Sequence, residues 1–211
     1  MGLFYSAVMA GVMTGIGGAA FLGAADKAVG SLLFSIGMFA CLALGLPLYA
    51  GRCAPALFGG PREAKPLPAL LLGNLLGAVA CGLVFGLAIP SKVIALQEAK
   101  LAQPFLSTLA RGTLCGMILF TGAFSWKALQ SGKPVGVLLG VTAFIVAGFE
   151  NSIADAFYFS AALGQGGGFR WQTLPFLLAA ILGNTIGAVL LYLAVPKAPA
   201  APPETSERGG A

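Results

Sequence analysis

Between residues 148 and 157 the chain reads GFENSIADAF, placing Glu150, Asn151, Ser152 and Asp155 within two helical turns directly after an apolar run. Two carboxylates can hold a proton or pair with a cation. An amide can offer its NH2 to an anion or a neutral acid without titrating itself. On a solvated loop such a cluster is ordinary. Inside hydrocarbon, ionisable side chains are expensive and mark a solute or proton path by default. Which of the two applies depends on the elements that carry the segment.

Composition decides the solvent. Of 211 residues, 58% are hydrophobic and 9% charged, with a mean hydropathy of +0.91. A soluble domain carries roughly a quarter charged residues, so this chain cannot cover its own surface with polar groups. Its partner is the lipid bilayer, and a soluble enzyme is excluded as a reading. The net charge of +5 is spread singly between apolar runs, which suits interfacial anchors and speaks against a nucleic-acid partner. Cys41, Cys53, Cys81 and Cys115 lack metal or redox spacing and are expected to be small buried residues. There is no histidine, hence neither the commonest proton shuttle nor the commonest metal ligand. No cofactor or metal is expected, and the GxxxxGK[ST] nucleotide signature is not found.

Six apolar stretches, about 3–25, 29–50, 66–90, 107–126, 134–163 and 173–195, each approach the ~20 residues a membrane helix needs. The reading is an all-α multipass membrane protein with one transmembrane domain over 1–196. The Pro-rich polar stretch 197–211 is expected to be a disordered cytoplasmic tail. The apolar opening lacks a basic leader and is expected to remain as the first span. Counting Lys and Arg gives seven inside (Arg52, Arg62, Lys65, Lys127, Lys133, Lys197, Arg208) against five outside (Lys27, Lys92, Lys100, Arg111, Arg170). That asymmetry favours cytoplasmic termini.

The chain also repeats. LLGNLLGAV at 71–79 returns as ILGNTIGAV at 181–189, so Asn74 and Asn184 stand 110 residues apart, as do Phe34 and Phe144. Two repeats, about 1–92 and 100–196, with three spans each must lie inverted, a transport architecture. The Gly-Asn-x-x-Gly motif itself is read as a close-packing surface, with Gly11/Gly15, Gly73/Gly77 and Gly183/Gly187 available for assembly. Spans two and five are expected to be broken, the second at Gly45, Pro47 and Gly51, the fifth at VAGFENSIAD. Irregular backbone at membrane depth survives only when buried in protein or lining a wet cavity.

These residues resemble the formate/nitrite transporter family. FSIGM at 34–38 is similar to the family's FSLGL, GLPLYAG at 45–51 occupies its Gly-acid-Leu-Phe-Thr loop, and LLGNLLGA its third-span Gly-Asn motif. EAKLAQPF with LARGTLCG over 98–116 resembles the start of the fourth span, and GFENSIAD the Gly-Phe-Glu-His-Ser-x-Ala-Asn motif. The resemblance implies an aquaporin-like six-helix protomer, a homopentamer, and one pore per protomer for small monovalent anions or their acids. It implies that Phe34, Phe144 and Met38 form a constriction and that Lys100 is a vestibule cation. Leu48, Tyr49, Asn151 and Asp155 then face the pore, and Glu150 and Ala50 hold the loops.

The departures bear on mechanism. Asn151 stands at the family's histidine, Asp155 at its asparagine, Ala50 at its loop threonine, Pro47 at its loop acid and Gly116 at its fourth-span asparagine. Glu150 is expected to hold the break by accepting backbone N–H bonds, and Asn151 to offer its NH2 as a binding rung or to satisfy freed backbone groups. Asp155 is expected to pair with Lys100 or Arg111 or to face the pore, and Lys100 to gather anions, anchor at the interface or pair with Glu98. The expected activity is passage of formate, nitrite or a similar monovalent anion or acid across a bacterial inner (plasma) membrane. The alternatives are a neutral-solute pore of the same fold and a non-conducting scaffold subunit.

Overall fold

The computed structural model describes residues 2–195; Met1 and residues 196–211, including the expected tail, lie outside the described residues. Ten helices and no strands make up the described chain: α1 (Leu3–Gly23), α2 (Lys27–Ala43), α3 (Tyr49–Phe58), α4 (Pro61–Ala64), α5 (Leu67–Ala88), α6 (Val93–Leu101), α7 (Phe105–Ala128), α8 (Lys133–Val146), α9 (Ser152–Gly164) and α10 (Thr173–Ala194). Four segments are long and apolar enough to cross a bilayer: α1, α4–α5 taken together, α7 and α10; α2 and α8 are shorter apolar helices. The segment 89–100, expected to be a connection, instead forms α6, which buries Val93 and Gln97 and packs on α9.

Helix pairing follows from small residues. With lipid as solvent there is little hydrophobic force between helices, so close approach and dispersion must hold them. On α1, Ala7, Gly11, Gly15 and Gly18 recur at helical spacing and are buried. Gly73 and Gly77 of α5 lie against them, and a Cβ on Gly77 would overlap the Val8 carbonyl. The second pair repeats the arrangement: a Cβ on Gly187 of α10 would overlap the Thr113 carbonyl of α7, and one on Gly116 the carbonyl of Asn184. These small faces are therefore used up inside the protomer. The expectation that they serve assembly between copies is corrected: the close approach they permit is already occupied by α1 on α5 and α7 on α10.

Two interruptions separate α2 from α3 and α8 from α9. Helix α2 ends at Ala43, and Gly45 adopts φ +68. Helix α8 ends at Val146, and Gly148 adopts φ +73. Left-handed backbone suits glycine, which lacks the Cβ that would clash. Pro47 has no N–H to orphan there. Gly51, expected to be a breaker, lies within α3, where it keeps its backbone close to Ala123.

The backbone groups freed by these interruptions are met by the two repeated asparagines. Asn74 Nδ2 donates to the carbonyls of Ala7 (2.8 Å) and Pro47 (3.0 Å), while its Oδ1 accepts from Tyr49 N (2.8 Å), the first residue of α3. Asn184 Nδ2 donates to Gly112 O (3.0 Å) and Glu150 O (2.7 Å), while its Oδ1 accepts from Ser152 N (3.0 Å), the first residue of α9. Each amide ties a neighbouring long helix to the two backbone groups that flank the start of the next helix. The motif thus divides its labour: glycines permit the approach and asparagines latch the breaks. The four cysteines are free thiols.

Removing either latch leaves buried polar groups unpaired, at about 1–3 kcal/mol for each group left unsatisfied. Asn74→Ala and Asn184→Ala are each expected to lower the thermal midpoint of the detergent-solubilised protein by several degrees. Asn184→Asp, which keeps the acceptor but sets a carboxylate against the carbonyls of Gly112 and Glu150, should cost at least as much as alanine. Midpoints within a degree of the parent in all three would show that the interruptions hold without the amides.

Candidate functional site

The interruptions bring the polar cluster into the interior. The chain leaves helical geometry after Ala147: Gly148 adopts a left-handed φ of +73 and Asn151 an extended backbone. Glu150 is 2% exposed, Asn151 9% and Asp155 1%. Asn151 caps α9: its Oδ1 accepts from Ile153 N (3.0 Å) and Ala154 N (3.4 Å). Capping consumes the acceptor and fixes the amide, and its NH2 makes no hydrogen bond among the described residues.

Lys100, from the last turn of α6, reaches both carboxylates. Its ammonium contacts Glu150 Oε2 and lies 2.9 Å from Asp155 Oδ1. It also sits 5.7 Å from the ring centre of Tyr158 and 5.9 Å from that of Phe176, within cation–π range. Gln103, which the sequence reading missed, donates to Glu150 Oε1 at 2.9 Å. Asp155 Oδ2 is buried without a hydrogen-bond partner among the described residues.

Two expectations change here and a third is narrowed. The Glu150 carboxylate accepts from Lys100 and Gln103 rather than from backbone N–H groups, because the Asn184 amide already serves the loop backbone. Lys100 pairs across the fold rather than with Glu98, because α6 packs on α9 and its last turn brings the ammonium to Glu150 and Asp155. Asp155 pairs with Lys100, whereas Arg111 donates instead to Gly148 O (3.0 Å) and Ser107 Oγ (3.3 Å). Lys27, not singled out in the sequence, donates to Val146 O at 3.0 Å. Both cations therefore grip the C-terminal end of α8, where unpaired carbonyls and the helix dipole favour positive charge.

Two chambers meet at this point. The first has a volume of about 180 Å³ and is walled by Lys27, Lys100, Arg111, Glu150, Asn151, Asp155 and Tyr158 among others. The second holds about 30 Å³ and is walled mainly by apolar groups, including Met38, Leu48, Ala50, Leu119 and Val141, with Tyr49 and Thr14. That is room for about one or two waters. Phe34, Phe144 and Asn151 belong to both walls. The two rings meet edge to face with centroids 6.0 Å apart, and each is 2% exposed. All ten residues singled out in the sequence line one chamber or both. Thr14, Gln103 and Lys27 join them without having been flagged. Gln103 lies within the EAKLAQPF stretch without standing out in it, Lys27 follows no motif, and Thr14 lies in an apolar run with nothing to separate it from packing threonines.

A wall of this kind can sort solutes by charge and size. The first chamber offers charged and amide donors, while the second is narrow and largely apolar, where a bare charge is costly and a neutral molecule is not.

The ion triad is the point of greatest vulnerability. Removing one partner of a buried pair costs about 3–5 kcal/mol, because it strands the remaining charge. Lys100→Ala strands two carboxylates and is expected to lower thermal stability in detergent strongly. Asp155→Asn keeps the Lys100–Glu150 pair and should cost much less. A Lys100→Ala protein as stable as the parent would show that the triad carries no structural charge balance.

A family model described as Formate/nitrite transporter matches residues 1–197. The uncharacterized transporter YrhG of Bacillus subtilis (strain 168) is 26% identical over 186 residues, covering 80% of this chain and 70% of that protein. The formate channel BtFdhC of Bacillus thuringiensis is 29% identical over 102 residues, 46% of this chain and 38% of its own length. Two solved structures share the fold. An FNT family ion channel gives a TM-score of 0.80 at 23% identity, over 92% of this chain and 90% of that one. A pentameric formate channel with formate bound gives 0.76 at 20% identity, over 91% and 94%. With the latched interruptions, the two chambers and a family match that runs through every described helix, the chain belongs to the formate/nitrite transporter family.

Proposed function

We propose that this protein passes a small monovalent anion, or its conjugate acid, through the two chambers of each protomer. The observation that carries this reading is the shared wall of Phe34, Phe144 and Asn151. It separates a charged chamber from a small apolar one, so a solute must leave its charge or its water behind at that wall. Asn151 presents only its NH2 there, since its oxygen caps α9. It serves as a binding rung for an anion or acid and moves no proton itself.

We further propose six spans in two inverted repeats, with α2–α3 and α8–α9 as broken spans, and cytoplasmic termini in a bacterial inner membrane. The matched latches of Asn74 and Asn184 support the repeat. The charges support the orientation: Lys27, Lys100 and Arg111, all assigned outside by the span count, line one chamber, whereas Arg52 and Lys127, assigned inside, line a different cavity. A homopentamer is proposed from the likeness to the pentameric formate channel. Because the small-residue faces are consumed within the protomer, its contacts fall on outer apolar faces such as Leu72 and Leu76 of α5 and Leu182 and Ile186 of α10.

A second reading has one observation in its favour. Lys100 is already matched by two carboxylates, which would suit a pore for neutral solutes. Proteoliposome uptake of formate, nitrite, acetate, hydrosulfide and urea separates the two. The proposal expects flux of the acids and their anions above that of urea. Urea flux alone would establish the neutral pore, and no flux of any solute a non-conducting subunit. Native mass spectrometry in mild detergent should show five copies, and a clean monomer or dimer would remove the pentamer.

The pH profile tests Asn151. Uptake by the parent should follow the neutral fraction of the solute, with no component near an imidazole pKa of about 6.5. Asn151→His should add such a component. Profiles that coincide after correction for protein incorporated would place Asn151 outside the solute path.

A further inference from the structure

The charged chamber holds more positive charge than Lys100 supplies, and that excess sits on two side chains with no assigned role. Lys100 lies between Glu150 and Asp155, so with all three ionised the triad carries one net negative charge. Left alone, it would repel the anions this chamber is proposed to receive. Lys27 and Arg111 line the same chamber, and neither meets a carboxylate among the described residues. Their partners are neutral: Lys27 Nζ donates to Val146 O, and Arg111 to Gly148 O and Ser107 Oγ. Three cations against two carboxylates bring the chamber to one net positive charge.

We propose that Lys27 and Arg111 together form the anion-receiving site of this chamber, and that Lys100 serves as the counter-ion of its two carboxylates. The donor inventory suits the task. An ammonium has three N–H groups and Lys27 uses one on Val146; a guanidinium has five and Arg111 uses two. The remaining donors are free for a small monovalent oxyanion such as a carboxylate. Val146 and Gly148 lie two residues apart at the end of α8, so both cations are anchored to the same helix end, and both line the same chamber. The same contacts place the site at the approach to Phe144, which is also on α8.

The inference rests on the anion-passing reading, and the expected effects follow from Coulomb's law. In water a unit charge at about 8 Å changes the local concentration of a monovalent anion about two-fold. Lys27→Gln takes the chamber from one positive charge to none. Lys27→Gln with Arg111→Gln takes it to one negative charge. At an ionic strength of about 0.01 M, where the screening length is ~30 Å, formate uptake into proteoliposomes should fall at least two-fold in the single variant and about five-fold or more in the double. In about 1 M salt, with a screening length of ~3 Å, the differences should largely vanish. Lys27→Arg, which keeps the charge, should restore uptake, and native mass spectrometry and thermal melting verify that each variant remains assembled.

A second measurement separates this inference from the reading it rests on. Saturation-transfer NMR with sodium formate on detergent-solubilised protein detects anion binding without flux. Binding that weakens several-fold in Lys27→Gln and returns in Lys27→Arg supports the site even if the parent conducts nothing, in which case only the transport reading fails. Formate binding and low-salt uptake unchanged in the folded double variant would overturn the site while leaving transport intact. A parent protein that neither binds nor conducts formate overturns both.

Discussion

Two buried amides hold the interior of this protein together. At membrane depth no water is available to an unpaired N–H or C=O, so a helix can be interrupted only where the surrounding protein supplies partners. Asn74 and Asn184 supply them. Each brackets the N-cap residue of the new helix, from the carbonyl just before that residue to the first helical N–H, and anchors it to a carbonyl of a long helix. An amide suits this work because it carries donors and an acceptor on one short, neutral side chain. A carboxylate would lack the donors, and a hydroxyl would lack the reach to three groups.

The close helix packing exists for the same reason. An asparagine side chain is short, so the latch closes only if the long helices stand almost in backbone contact. Glycines at 73, 77, 183 and 187 allow that approach, and α1 and α7 answer with their own small residues. Once the breaks are held, Leu48, Tyr49 and Ala50 come from one side and Glu150 and Asn151 from the other. Phe34 and Phe144, on the helices that precede the breaks, meet between the two chambers.

Charge is arranged around the second break. Glu150 lends its carbonyl to Asn184 and its carboxylate to Lys100 and Gln103, so the backbone latch and the ion triad share a residue. Burying two carboxylates with one ammonium is expensive, and the aromatic faces of Tyr158 and Phe176 beside Lys100 offset part of that cost. Arg111 and Lys27 take up the carbonyls at the end of α8. Every charged side chain near the break thus has a defined partner, and the chamber wall is ordered without any histidine.

Much of this was legible in the chain. Composition alone specified a lipid-embedded helical protein, since 9% charged residues cannot clothe a soluble surface. The repeated Gly-Asn-x-x-Gly and the ordered partial motifs pointed to the family and to the residues that gather at the chambers, because intramembrane polar groups are rare enough in hydrocarbon to carry meaning singly, whereas the small residues carry theirs only through the repeat. The partners of those polar groups were beyond its reach. Lys100 finds Glu150 fifty residues on, and Lys27 finds Val146 at a separation of 119; no local spacing encodes such pairs, because hydrogen-bond geometry depends on where the helices cross. The sequence by itself determined an all-helical, largely apolar chain and the few polar side chains within it that had to find partners. Only the tertiary structure decided which charges were already spent on each other, because that depends on ångström distances between segments far apart in the chain.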